Sequence, residues 1–244
     1  MTNRVVRPRP RPDARRVLVC LSYAGGGTAP FRGWTEHVPE DVELALICYP
    51  GRERRTSERI VPTWDHLLSD VAAGIAEAVA DRPYVLFGHS MGGAVAAGLA
   101  SLSHQLRQPP SSLVLSATRS PLAKVKVSLS PTASDEEYVR WIKAKAQVPD
   151  AVLEHPELRE MAVSLLRADL TTLSTLTYDP ARRIATPTQV LHGERDEVDE
   201  EAVRGWSKIV TSDLRIDPLP GGHFYVPEVW ERLPQYMTAL REDG

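Results

Sequence analysis

The segment 88–92, Gly-His-Ser-Met-Gly, constrains the fold of this chain more than any other stretch. A short apolar run at 84–87 precedes it, and a run of small residues at 94–100 follows. This order predicts a strand, a sharp turn and a helix, with the hydroxyl of Ser90 projecting from the turn. Glycine suits such a crowded corner because it has no Cβ atom. The amide N–H of Met91 would begin the helix and could donate to an oxyanion, so Ser90 is a candidate nucleophile.

The rest of the chain supplies the two groups that a serine nucleophile needs, in a fitting order. Asp196 stands just past the apolar run 188–192, and His223 follows two glycines. Ser, Asp and His occur in this order in the α/β-hydrolase plan, where the histidine takes the serine proton and the acid orients the histidine. A glycine-rich packing turn is the alternative for 88–92. The competing acids are Glu194, Glu197 and Asp199, and the competing histidines are His37, His66, His89, His104, His155 and His192.

Apolar runs and amphipathic stretches alternate over most of the chain. This predicts an α/β fold with a mostly parallel central sheet and helices on both faces. The alternation stops between about 119 and 178, so we expect 17–244 to form one domain with an all-helical lid inserted there. The predicted strands are 17–21, 43–49, 84–87, 112–117, 188–192 and 214–219. The predicted helices are 28–37, 64–80, 94–100, 135–145, 156–177, 199–209 and 226–240.

Two loops after early strands carry further candidates. Glycines at 25–27 would let the first loop approach the nucleophile, which makes the N–H of Ala24 a candidate second oxyanion donor. A phosphate-binding loop is the alternative, but no Gly-Lys-Ser/Thr follows. The second loop carries Arg52, Arg54 and Arg55, which form either an electropositive rim near the site or an ordinary solvated cluster.

Composition excludes several classes of protein. The 244 residues carry a formal net charge of −3, which does not suggest a nucleic-acid partner. Cys20 and Cys48 lie in strand-like runs and are predicted to be buried thiols, without a disulfide framework. Residues 1–16 alternate arginine and proline, which predicts a disordered tail rather than a signal peptide, with a basic arm for an acidic partner as the alternative. No run approaches a membrane span, so we expect a soluble cytoplasmic protein.

At this point the chain resembles the type II, or editing, thioesterases that serve polyketide synthases and non-ribosomal peptide synthetases. The resemblance covers about 17–240. Ser22 departs from the proline usual at that position, and Tyr23 stands where the family has His or Tyr. The motifs that carry the resemblance are Leu21-Ser22-Tyr23-Ala24-Gly25-Gly26, Tyr49-Pro50-Gly51-Arg52, Phe87-Gly88-His89-Ser90-Met91-Gly92-Gly93, Leu166-Arg167-Ala168-Asp169, Gly193-Glu194-Arg195-Asp196 and Gly221-Gly222-His223-Phe224.

The resemblance implies an α/β-hydrolase fold with a mobile helical lid. It implies hydrolysis of stalled or aberrant acyl groups from the phosphopantetheine arm of acyl or peptidyl carrier proteins. By position, it assigns Ser90 as nucleophile, Asp196 as acid and His223 as base, with the amides of Ala24 and Met91 forming the oxyanion hole. We expect no metal and no bound cofactor, a monomer, and docking of an acidic carrier protein by Arg52, Arg54 and Arg55. The alternatives are an acyltransferase or cyclase, a general carboxylesterase, and an inactive hydrolase fold that serves as a binding module.

Overall fold

The computed structural model describes residues 3–102, 106–123, 129–145 and 148–241. A seven-stranded sheet in the order β1-β3-β2-β4-β5-β6-β7 forms its centre. All neighbouring strands are parallel except β1, which pairs antiparallel with β3. The strands are β1 (Val5–Val6), β2 (Arg16–Leu21), β3 (Val42–Ile47), β4 (Tyr84–His89), β5 (Ser112–Ser116), β6 (Thr188–Gly193) and β7 (Leu214–Leu219).

Helices cover both faces of this sheet. The α-helices are α1 (Trp64–Val79), α2 (Met91–Ser101), α3 (Asp135–Ala144), α4 (Asp150–Glu154), α5 (Pro156–Ser174), α6 (Glu200–Arg204) and α7 (Pro227–Glu231). Short 3₁₀ helices lie at Ala29–Glu36, Glu53–Arg55, Gly205–Lys208, Leu233–Tyr236 and Thr238–Leu240. The predicted α/β architecture with a mostly parallel sheet is therefore confirmed.

The alternation of side chains along the strands separates two hydrophobic cores. In β2, Val17 and Val19 pack with α1 and α2, whereas Leu18 and Cys20 face the 3₁₀ helix at Ala29–Glu36 and the C-terminal helices. Successive side chains of a strand point to opposite faces, so a parallel strand covered on both sides must be apolar throughout. The sequence runs that predicted the central strands β2 and β4 are mostly apolar for this reason. Cys20 and Cys48 are buried free thiols, as predicted.

The prediction of a disordered tail at 1–16 is wrong for the residues from position 3 onward. Val5 and Val6 pair with Ile47 and Leu46 as an edge strand. The arginines find acceptors in the domain: Arg7 and Arg16 bind Glu43 and Asp41 at 3.3 and 3.1 Å. Like-charge repulsion does not decide the outcome, because the domain places carboxylates opposite the arginines. The prolines are tolerated since the segment lies at the edge of the sheet.

The C-terminal helix predicted at 226–240 is interrupted. It consists of α7 and two 3₁₀ turns, with Pro234 inside the first of them. Proline has no N–H for the carbonyl four residues earlier and its ring clashes with that carbonyl. Here that carbonyl belongs to Trp230, and it accepts the indole N–H of Trp34 at 2.8 Å instead. The helix predicted at 199–209 is likewise divided, into α6 and the 3₁₀ turn Gly205–Lys208.

Helices α3, α4 and α5 lie between β5 and β6 in the sequence, and we call them the insert helices. A capping box at Ser134 and Glu137 begins α3. Along α5 the buried positions are Val163, Leu166, Asp169 and Thr172, which recur every three residues on one face. Within the described ranges, no helix combines the length and apolar character that crossing a membrane requires.

Replacing Glu43 tests the ordered N-terminal segment. Its buried carboxylate accepts the Arg11 N–H at 2.9 Å and lies 2.6 Å from Arg82. Burial would raise the pKa of Glu43, but these donors outweigh it and lower the pKa. Glu43→Gln should therefore lower the free energy of unfolding at pH 7 by about 2–4 kcal/mol.

The lowered pKa of Glu43 fixes the sign of the pH dependence. Its stabilisation is complete above the unfolded pKa and is lost as the pH falls through the folded value. The difference between Glu43→Gln and wild type in urea unfolding should accordingly shrink from pH 7 to pH 3. Glu200→Gln, which breaks an exposed pair with Arg204, is the control and should change stability by less than about 1 kcal/mol. Equal effects of the two substitutions would contradict the prediction.

Candidate active site

Ser90 occupies a sharp turn between β4 and α2. Its backbone has φ 55° and ψ −115°, a conformation that is strained for a residue with a Cβ atom. The turn is held because the Ser90 N–H donates to the Ser116 carbonyl at 2.8 Å, while its own carbonyl accepts from Gly93 and Ala94. The turn follows β4, the middle strand of the sheet. It therefore lies at the centre of the carboxyl edge, where open α/β folds collect functional groups.

Close backbone contacts surround the turn. A Cβ atom on Gly92 would lie 2.3 Å from the Leu21 carbonyl oxygen and 2.6 Å from that of Ser22. A Cβ atom on Gly88 would lie 2.1 Å from the Gly92 carbonyl oxygen. The first turn of α2 therefore packs directly against the end of β2 and the loop that follows it. Only residues without a side chain allow this approach.

His223 and Asp196 form a hydrogen-bonded chain with Ser90. The Nε2 atom of His223 lies 2.9 Å from Ser90 Oγ, and its Nδ1 atom lies 3.0 and 3.1 Å from the Asp196 oxygens. The Asp196 side chain is fully buried and that of His223 is 12% exposed. An ionised carboxylate only accepts hydrogen bonds, so His223 donates through Nδ1 and leaves Nε2 to accept the Ser90 proton.

The loops after β6 and β7 are joined, which holds Asp196 and His223 together. The N–H groups of Glu194 and Arg195 donate to the carbonyls of Leu219 and Gly221 at 2.9 Å. A Cβ atom on Gly193 would lie 2.2 Å from the Gly222 carbonyl oxygen, so the two loops touch.

The competing acids have other partners. Glu197 pairs with Lys145 at 3.0 Å, Asp199 accepts the Ala202 N–H at the start of α6, and Glu194 is exposed. Of the four acids at this loop, it is Asp196 that binds His223.

His89 lies beside the nucleophile but is bonded elsewhere. Its Nδ1 atom lies 2.9 Å from Ser116 Oγ, which in turn lies 2.7 Å from the Tyr225 hydroxyl. Burial and the neighbouring His223 hold the pKa of His89 well below its usual range. The ring is therefore neutral, and it packs 5.3 Å from the His223 ring, between centroids. His89 therefore packs against the ring of His223 and makes no hydrogen bond to Ser90 Oγ.

The two candidate oxyanion donors lie on the elements that Gly92 brings together. Met91 is the first residue of α2, and the first N–H groups of a helix have no acceptor within it. Ala24 is buried in a turn closed by the Gly26 N–H and the Tyr23 carbonyl at 3.0 Å. Gly25, with φ 76°, occupies the third position of this turn.

The prediction that Arg52 and Arg55 belong to a docking surface is wrong. Arg52 is 4% exposed and binds Asp169 of α5 through both Nη atoms, at 2.6 and 2.8 Å. Arg55 is 1% exposed and binds Asp70 and Glu58. A run of arginines is expected on the surface unless the fold brings acidic side chains beside it. Here Asp169 and Asp70 are those acids, and both are distant from the arginines in the sequence. Of the three arginines, Arg54 is exposed.

Sequence reasoning assigned no role to Asp169, although the structure places it at the site. Its carboxylate accepts the Gly25 N–H at 2.7 Å in addition to the two bonds from Arg52. The available signal was its position on α5, where it shares the buried face with Val163 and Leu166. An acid on the apolar face of an amphipathic helix requires a buried partner.

An open groove of about 530 Å³ passes Asp196 on the surface, but neither Ser90 nor His223 lines it. Among the residues that the structure describes, no three His, Cys, Asp or Glu side chains are grouped so that they could hold a metal ion. The chemistry that this arrangement offers is nucleophilic attack by Ser90 with proton transfer through His223.

Comparison with known proteins identifies the family. The thioesterase domain model matches residues 16–241. The AMB antimetabolite synthetase AmbE of Pseudomonas aeruginosa is 34% identical over 84% of this chain, which spans only 10% of that much longer protein. The gramicidin S biosynthesis protein GrsT of Aneurinibacillus migulanus is 27% identical over 92% of this chain and 88% of its own length. The type II thioesterase BorB from the borrelidin biosynthetic cluster superimposes with a TM-score of 0.85, at 27% identity and 98% coverage of both chains.

Replacing Gly92 tests the packing of the elbow. In Gly92→Ala the new methyl group would overlap two carbonyl oxygens, so we expect the free energy of unfolding to fall by more than about 2 kcal/mol. Gly33→Ala is the matched control, because nothing lies within 4 Å of its added Cβ. That control should change stability by less than about 1 kcal/mol, measured by urea unfolding. Similar values for the two variants would show that the contact at Gly92 is not tight.

Proposed function

The chain belongs to the thioesterase family of the α/β-hydrolase fold, and from this premise we propose that it hydrolyses acyl thioesters carried on the phosphopantetheine arm of acyl or peptidyl carrier proteins. The observation that carries the proposal is the hydrogen-bonded chain from Ser90 through His223 to Asp196 on a strained turn. The likeness to a type II thioesterase from a biosynthetic cluster supports the substrate class. In that role the enzyme removes stalled or aberrant acyl groups from a synthase.

In the proposed first step, Ser90 Oγ attacks the thioester carbonyl carbon while His223 Nε2 takes the hydroxyl proton. The carbonyl oxygen becomes negatively charged and is stabilised by the N–H groups of Ala24 and Met91. Asp196 stabilises the imidazolium that forms and keeps its orientation. The tetrahedral intermediate then collapses, the carbon–sulfur bond breaks, and the pantetheine thiol leaves with the proton from His223.

In the second step, water releases the acyl group. His223 takes a proton from the water as its oxygen attacks the acyl-serine carbonyl, and the same oxyanion hole stabilises the second intermediate. Ser90 recovers its proton from His223, and a free carboxylic acid leaves. No group outside this chain, the substrate and water enters these steps, and the pantetheine arm belongs to the carrier protein.

We further propose that the insert helices form a lid over the acyl site, within residues 119–178. Lys145 at the end of α3 lies 3.0 Å from Glu197, beside the acid of the triad. Thr172 of α5 donates to the Val61 carbonyl at 2.8 Å, and Thr175 after α5 accepts the Trp64 N–H at 2.8 Å. These contacts support a lid in which α5 is the fixed part.

The activity is tested with acetyl and propionyl groups on a holo carrier protein. Wild type should release them, whereas Ser90→Ala should be slower by a factor of about 10³ or more. Asp196→Asn should lose about 10²–10⁴ in kcat with little change in stability, because it disturbs the orientation of His223. Labelling of Ser90 by a fluorophosphonate without release of either acyl group would mean that the substrate or acceptor is wrong, and transfer to an amine or hydroxyl would then be examined.

Of the three arginines predicted to dock the carrier protein, we propose that only Arg54 contributes. Arg54→Glu should raise KM for an acyl carrier protein but leave KM for the corresponding N-acetylcysteamine thioester unchanged, because the small substrate does not reach the rim. The effect on the carrier should weaken as salt is added, since it is a long-range charge interaction. An equal change for both substrates would remove Arg54 from the docking surface. Arg32→Glu, at another exposed arginine, serves as the comparison.

A further inference from the structure

Asp169 connects the insert helix α5 to the loop that holds one candidate oxyanion donor. Its Oδ2 atom accepts the Gly25 N–H at 2.7 Å and Arg52 Nη1 at 2.8 Å, while Oδ1 accepts Arg52 Nη2 at 2.6 Å. The same Arg52 Nη1 donates to the Gly26 carbonyl at 2.8 Å. The side chains of Asp169 and Arg52 are 6% and 4% exposed. This network is therefore shielded from water and bound to two successive residues of one short turn.

That turn consists of residues 23–26, with Ala24 as its second residue. The Gly26 N–H donates to the Tyr23 carbonyl at 3.0 Å, and Gly25 has φ 76°. A positive φ at the third position is the mark of a type II turn. Types I and II differ by a flip of the central peptide, the one that contains the Gly25 N–H. By accepting this N–H, the Asp169 carboxylate selects one of the two orientations.

We propose that Asp169, held by Arg52, is a positioning residue that fixes the 23–26 turn so that the Ala24 N–H is set in place for the oxyanion. The inference rests on the proposed function, which assigns that donor to Ala24. An oxyanion hole accelerates a reaction only when its donors are oriented before the charge develops. A free glycine-rich turn could shift as a whole relative to α2, whereas this one is bound at Gly25 and Gly26. The bond to the Gly25 N–H restrains Ala24 through the peptide that joins the two residues. The anchor comes from the insert rather than from the sheet.

A purely structural pair between α5 and the core is the alternative. Two observations favour a positioning role. A buried ion pair contributes little to net stability compared with apolar residues of similar size, so stability alone does not account for it. The carboxylate also gives a lone pair to a backbone N–H of the active-site turn, beyond the two bonds that it accepts from the guanidinium. A charged acceptor makes that bond stronger than a neutral one would.

Two double variants separate the roles, because both remove the charges and only one removes the acceptor. Asp169→Asn with Arg52→Gln keeps an amide oxygen for the Gly25 N–H. Asp169→Leu with Arg52→Met keeps none. We expect the Leu/Met variant to lose about 10- to 100-fold in kcat on an N-acetylcysteamine thioester, with KM changed less than about threefold. The Asn/Gln variant should stay within about fivefold of wild type.

A transition-state mimic gives the second readout. Ser90 adds to an acyl trifluoromethyl ketone and forms a tetrahedral adduct whose oxygen carries the negative charge. Its affinity should fall in the Leu/Met variant by the same factor as kcat/KM, while the affinity for the product acid stays constant. Glu43→Gln is the control, since it removes a buried ionic contact near the start of β3, away from the site. It should lower the melting temperature and leave kcat unchanged.

Several outcomes would overturn the proposal. They are an unchanged kcat in a folded Leu/Met variant, equal losses in the Leu/Met and Asn/Gln variants, or a KM increase that accounts for the whole effect. If the Leu/Met variant does not fold, hydrogen exchange in wild type decides. The Gly25 amide should exchange as slowly as amides of β4, and exchange at the rate of an exposed loop rejects the anchor. If wild type hydrolyses no carrier-bound thioester but the ketone results hold, the proposed substrate fails and the positioning role stands.

Discussion

The close approach of two backbones at the start of α2 is the constraint on which the rest of the site depends. Gly92 lies against the carbonyls of Leu21 and Ser22, and Gly88 lies against the carbonyl of Gly92. With side chains at these positions, α2 would move away from β2 and the N–H of Met91 would leave the 22–27 loop. The strain at Ser90, with φ 55°, is maintained because hydrogen bonds on both sides of the turn hold it. The close packing under the turn thus holds Ser90 at the surface of the site, where its side chain is partly exposed.

Polar contacts arrange the further segments around this point. The loops after β6 and β7 hold each other through backbone hydrogen bonds, which sets the distance from Asp196 to His223. Tyr225 and Ser116 hold His89 behind the triad. Asp169 reaches the Tyr23–Gly26 turn from α5. The bonds at His89 and Asp169 are buried, and hydrogen bonds are stronger in a dry site than at the surface, so these side chains have one arrangement rather than several.

Local sequence patterns, such as apolar runs and helical spacing, predicted the strands and helices well. The strand predicted at 214–219 has the observed bounds, and the other core strands agree within two residues at each end. Periodicity identified α1, and the order of serine, acid and histidine predicted which residues the structure brings together. The errors concern charge and proline. Residues 3–16 are ordered because Asp41, Glu43 and Asp70 accept their arginines, and Arg52 and Arg55 are buried for the same reason.

The sequence by itself determined the alternation of strands and helices, the sharp turn at Ser90 and the order of the candidate triad. These follow from local sterics and from the period of apolar residues, which act over a few positions. Only the tertiary structure decided which carboxylate each arginine meets, and that α5 supplies an anchor to a turn 144 residues away. A charge is stable in the interior only when a partner is placed beside it, and that placement depends on contacts between distant segments. No local pattern contains that information.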